Sequence, residues 1–156
     1  MELTIAVAFT RLVVALALGI LLGIERSVSH KNAGMRTYAL VALGSCLFVL
    51  VSLYAITDLD LGANSDPLRL VAGVVTGIGF LGAGLIFRVE ERLSGLTTAA
   101  GLWMACGIGV ATGFGYFELA FSATVLTLIT FTVLWYIEKK VVLVTDKKKD
   151  DILGIK

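Results

Sequence analysis

The residues able to do chemistry gather in three short stretches: Glu25-Arg26, Lys31 to Thr37, and Gly95 to Thr98. Glu25 is a carboxylate, and Arg26, Lys31 and Arg36 are cations. Thr37, Thr97 and Thr98 supply hydroxyls where helices are expected to begin. Free N–H groups and the positive dipole end of a helix favour anions. Arginines beside such starts therefore suit an anion or a partner's carboxylate. The plainer alternative is that these charges set topology and meet lipid headgroups. Glu25 and Arg26 are not expected to pair, because adjacent helix residues do not face each other. A carboxylate at a lipid boundary is best kept ionised by a cation or helix start within about 4–6 Å. That predicts one polar site formed by Glu25, Arg26, Arg36 and the Thr97–Thr98 helix start, with Arg36 and the start of the fourth helix as the partners of Glu25.

Other chemistry is poorly supplied. No nucleophile, base and orienting group stand at a recognisable spacing, so no catalytic residue is assigned and an enzyme is not expected. His30 has no second ligand nearby, and Cys46 and Cys106 fall in mid-span, where small apolar packing is their default role. No metal site and no cofactor are expected. A net charge of +1 gives no field to attract nucleic acid.

The elements that must position these residues are membrane spans. The chain has 156 residues, of which 58% are apolar and 16% charged, and its mean hydropathy is +0.94. Soluble domains are about half apolar and a quarter charged, and one this small keeps much of its surface wet. Five apolar runs approach the roughly 20 residues a helical span needs: Ile5–Ile24, Thr37–Ile56, Leu70–Phe87, Leu96–Gly115 and Leu119–Ile137. Asp66-Pro67 reads as an N-cap and first turn opening the third run. Gly113, Gly115 and Glu118 mark a turn after the fourth. All of the 13 Lys and Arg except Arg11 and Arg69 fall on alternate connections or the C-terminal tail. The basic-loop rule then predicts an outside N-terminus and a cytoplasmic C-terminus. The expected architecture is an all-α membrane protein, a compact bundle of about five transmembrane helices over residues 1–140, with a short polar tail over 141–156. Val141 to Val144 suit a strand by composition but have nothing to pair with. Ala15-Leu16-Ala17 resembles a signal cleavage site, but Glu2 and Arg11 argue against one.

Arg11 is the one ionised residue inside a run. It lies about 9 Å from the outer end at ~1.5 Å per residue, so it either snorkels or pairs with backbone carbonyls, Asp66 or Glu118. Gly19 and Gly23, and Gly73 and Gly77, stand four apart, as do Gly109 and Gly113. Such faces let two helix backbones approach closely. With Gly84 they are read as packing surfaces, within the bundle or in a homo-oligomer. A sharper alternative unwinds the third run at Gly77–Gly84, baring carbonyls as transporters do.

Four segments together carry a family resemblance: Arg11 with Gly-Ile-Leu-Leu-Gly-Ile-Glu-Arg (19–26), Lys-Asn-Ala-Gly-Met-Arg-Thr (31–37), Gly-Ile-Gly-Phe-Leu-Gly-Ala-Gly (77–84) and Gly-Leu-Thr-Thr-Ala-Ala-Gly-Leu-Trp (95–103). The chain resembles the N-terminal membrane domain of the MgtC/SapB family from Arg11 to about Lys140. The resemblance implies a multi-pass protein of the bacterial inner membrane, tied to magnesium homeostasis and, in pathogens, to virulence and intracellular survival. It implies a regulator of other membrane systems in preference to a transporter. Arg11, Glu25, Arg26, Lys31, Gly34, Arg36, Thr37, Thr97, Thr98 and Trp103 are the signature positions it carries over. Some relatives continue into a soluble ACT-like domain, for which this chain, ending at Lys156, leaves no room.

The expected function is thus a non-enzymatic membrane regulator acting by protein–protein contact, its partners being the bilayer, further copies of itself or other inner-membrane proteins. The alternative is a transporter or channel for Mg²⁺ or another small ion. Mg²⁺ prefers oxygen ligands, usually carboxylates, and no run holds an acid in its interior.

Overall fold

The computed structural model describes residues 4–58, 66–89 and 92–141. The elements are α1 (Ile5–Val28), α2 (Met35–Asp58), α3 (Leu68–Leu85), β1 (Phe87–Val89), β2 (Arg92–Ser94), α4 (Leu96–Phe114) and α5 (Phe117–Ile129). Beyond α5 a π-helical turn, Thr130–Leu134, carries the same span on to Val141. All five helices are long and apolar enough to cross a membrane. Residues 59–65, Glu90-Glu91 and 142–156 lie outside the described residues. Val141 itself is helical, so the strand considered at that position does not begin there: the fifth span runs on to Val141, beyond the expected Ile137.

Close approaches fix the directions. Gly19 lies against Tyr38 and Ala39, and Gly23 against Met35, so α1 and α2 run antiparallel. Gly109 meets Ala42 and Ser45, and Gly113 meets Cys46 and Val49, so α2 and α4 run parallel. Gly82 faces Ala99 across antiparallel α3 and α4. α4 is the hub, touching all four other helices, and half of its most apolar window is buried against only 11% for α3. Alternation brings the α1 end, the α2 start, the hairpin and the α4 start to one end of the bundle, termed the basic end below.

Local chemistry explains the ends. The Asp66 carboxylate accepts from the Leu68 N–H at 2.9 Å, and Pro67 has helical angles, φ −63° and ψ −21°. Asp66 therefore caps α3 as the sequence predicts. α4 is bounded by Gly95 (φ 88°) and Gly115 (φ 86°), both in the left-handed region glycine tolerates. The connection between α3 and α4 is an antiparallel hairpin with Phe87 opposite Ser94 and Val89 opposite Arg92. The π turn follows a run of threonines. Thr124, Thr127, Thr130 and Thr132 each donate to the carbonyl four residues back, which competes with the backbone ladder and eases a wider turn. α3, by contrast, is continuous from Leu68 to Leu85, so the unwound alternative at Gly77–Gly84 is overturned: its backbone groups bond within the helix.

Candidate functional site

Arg26 stands at the centre of the basic end and is 3% exposed. Its guanidinium carbon lies 3.7 Å from the centroid of the Phe131 ring, and its Nε donates to Glu25 Oε2. Glu25 Oε1 accepts from the Ser29 hydroxyl at 2.8 Å. Phe131 meets Tyr38 edge-on, with centroids 6.5 Å apart and planes at 86°. Tyr38, fully buried, donates its hydroxyl to the Thr98 carbonyl at 3.2 Å. The chain of contacts Glu25–Arg26–Phe131–Tyr38–Thr98 thereby ties α1, α2, α4 and α5 together.

Two local features make room for it. A Cβ on Gly101 would stand 2.3 Å from the Tyr38 hydroxyl and 2.6 Å from Phe131 Cζ, so glycine there admits both rings. Phe131 sits in the π turn, and the changed helical phase is what carries it inward; π turns often mark functional sites. A cavity of about 1220 Å³ opens over this chain, lined by Glu25, Arg26, Lys31, Thr97 and Thr98 together with Trp135 and Glu138. Two cations, two carboxylates, aromatic faces and the start of α4 line this recess.

The predicted cluster is therefore divided. Glu25, Arg26, Lys31, Thr97 and Thr98 share this recess, whereas Arg36 and Thr37 line a second cavity between α2 and α3. Among the described residues Glu25 is answered by Arg26 and Ser29, not by Arg36 or the start of α4. Adjacent side chains meet because both are long and lie at the end of α1, where Glu25 can fold along the surface. Tyr38, Phe131, Gly101 and Ser29 were not foreseen as site residues. Tyr38 directly follows the Arg36-Thr37 pair and Gly101 lies in a quoted segment, but no signal marked Phe131, since the π turn shifts its facing by an amount the regular period cannot give.

Arg11 lies at the opposite end, 7% exposed, and donates from Nη1 to the Gly113 carbonyl at 2.7 Å. It thus serves the last turn of α4, where carbonyls lack helical partners and the dipole is negative. Its Nε has no partner among the described residues. Gly115 leaves space for the same guanidinium, whose Nη2 would be 2.9 Å from a Cβ there. Of the proposed packing glycines, Gly19 and Gly23 are used inside the chain by α2, while a Cβ on Gly73, Gly77 or Gly84 would meet no atom within 4 Å. Trp103 is 55% exposed. Cys46 and Cys106 are free and buried, and among the described residues no three His, Cys, Asp or Glu gather to hold a metal.

Comparison with known proteins finds relatives over most of the chain. A model of the MgtC family matches residues 12–140. The chain is 45% identical over 117 residues to MgtC of Salmonella typhimurium, covering 75% of this chain and 48% of that protein. It is 44% identical over 114 residues to YhiD of Escherichia coli, provisionally called a magnesium transporter, covering 72% and 53%. It is 37% identical over 134 residues to SapB of Bacillus subtilis, covering 84% and 58%. The chain spans about half the length of the curated relatives it matches. No solved structure matches it.

Proposed function

Because this chain belongs to the MgtC family, we propose that it is a non-enzymatic regulator in a bacterial inner membrane, tied to low-magnesium adaptation and acting through contacts with other membrane proteins or further copies of itself. The observation that carries this reading is how the polar interior is used. The intramembrane arginine is committed to the Gly113 carbonyl, and Arg26 is stacked on Phe131. Both hold helices together. Away from the helix ends, the five spans contain no Asp or Glu. A Mg²⁺ ion sheds its water reluctantly and asks for oxygen ligands, whereas a buried arginine repels it. The recess at the basic end, with charges of both signs, suits a partner's loop or helix end. In a pathogen the same role would extend to survival inside host cells.

A transporter is the second reading, favoured by the provisional name of the relative YhiD. Purified full chain in liposomes loaded with a Mg²⁺ indicator separates the two. The expected uptake equals that of empty liposomes; robust uptake abolished by Arg26→Gln or Arg11→Met would establish transport instead. On the regulatory reading, Glu25→Gln and Arg26→Lys variants that insert normally lose growth support in limiting magnesium. Full growth of both removes the recess from the mechanism.

A further inference from the structure

α2 and α3 pack against each other less closely than α2 and α4, and a cleft lies between them. α3 buries only Ile78 and Gly82, and a Cβ on Gly44, Gly73 or Gly77 would meet no atom within 4 Å. The resulting cavity is about 710 Å³, with apolar walls, Arg36 and Arg69 at its margins and no acidic residue in its lining. The two arginine ends differ. At the start of α3 the Asp66 carboxylate already accepts from the Leu68 N–H at 2.9 Å, so that helix carries its own anion. At the start of α2 the Met35 N–H goes to Ser27 Oγ at 3.0 Å and the Tyr38 N–H to the Gly34 carbonyl at 3.2 Å. The N–H groups of Arg36 and Thr37, and the Arg36 guanidinium, have no partner among the described residues, and the first turn of α2 holds no acid.

We propose that this cleft binds an anionic phospholipid, with its phosphate on Arg36 and Thr37 at the start of α2 and its acyl chains lying toward Phe48. Dimensions and charge select this occupant. From Arg36 to Phe48 the wall runs about 18 Å at ~1.5 Å per residue, close to the roughly 15 Å of one leaflet's hydrocarbon, half of a ~30 Å core. A second copy seated face to face would bring the same arginines together, a like-charge contact that opposes association. A phosphate diester on an arginine beside a helix start gains charge-assisted hydrogen bonds from both.

The test is native mass spectrometry of the full chain in detergent, offered phosphatidylglycerol or phosphatidylcholine of equal chain length. Phosphatidylglycerol should be retained about fivefold more, the effect of one cation on an anionic headgroup. Arg36→Gln should abolish that preference and Arg69→Gln should leave it. Gly77→Leu, which fills the cleft, should lower retention of both lipids while the chain stays folded. Equal retention of the two lipids overturns the proposal, as does an unchanged preference in Arg36→Gln. So does a small membrane protein that co-purifies with the chain, is lost in Gly77→Leu, and leaves no headgroup preference behind.

Discussion

The Arg26 guanidinium carbon lies over the Phe131 ring, 3.7 Å from its centroid, joining the end of α1 to the π turn that follows α5. A cation on an aromatic face is worth about 0.5–1 kcal/mol when exposed and about 2 kcal/mol when desolvated, and Arg26 is buried. A double-mutant cycle of Arg26→Gln and Phe131→Leu, followed by thermal unfolding in detergent, should give a coupling of about 1–2 kcal/mol. Coupling near zero would reduce the stack to an incidental contact.

Arg11 closes the far end of α4 through its bond to the Gly113 carbonyl. A hydrogen bond from a charged group contributes about 1.5–3 kcal/mol, and Arg11→Met should cost that much in unfolding measurements. Gly115→Ala should cost as much or more, since it combines strain at φ 86° with a clash on the Arg11 side chain. A melting temperature unchanged in Arg11→Met would mean the arginine reaches solvent instead.

The glycines divide into two groups by what surrounds them. On Gly109 a Cβ would stand 2.2 Å from the Ala42 carbonyl oxygen, a backbone atom that cannot step aside. Gly109→Ala should therefore destabilise the chain by about 1–3 kcal/mol or more. Gly77 and Gly73 face open space, so alanine at either should be neutral or should stabilise by up to about 1 kcal/mol through helix propensity. Chemical denaturation of the three variants in one detergent checks the ranking. A costly Gly77→Ala would show that α3 is covered by something in solution.

Orientation follows from where the cations lie. Asn32 sits at the basic end and Glu118 at the other, at the start of α5. In intact cells a membrane-impermeant thiol reagent should label Glu118→Cys and spare Asn32→Cys, because basic loops are retained in the cytoplasm. The native cysteines are buried and give little background. Labelling of Asn32→Cys alone would invert the topology.

Depth along the membrane normal was legible in the residues. Runs of apolar side chains marked five spans, Asp66-Pro67 marked a helix start, and alternation of spans then put Glu25, Arg26, Lys31, Arg36, Thr37, Thr97 and Thr98 at one end. These follow from transfer energy and chain length, which act on every residue wherever its neighbours lie. Rotation about each helix axis was not legible. In lipid both the packed and the free face of a helix are apolar, so the usual stripe that points to a core is missing. Only the packed bundle decided that Gly19 and Gly23 meet α2 while Gly73 and Gly77 stay open. It also decided that Arg36 turns to α3 and Arg26 to Phe131, and that Arg11 finds a carbonyl 102 residues away. Each of these depends on shape matching between helices distant in sequence, and on a π turn that changes the helical phase at Phe131. The polar recess was foreseen as a place and built by tertiary contacts into a particular set of partners.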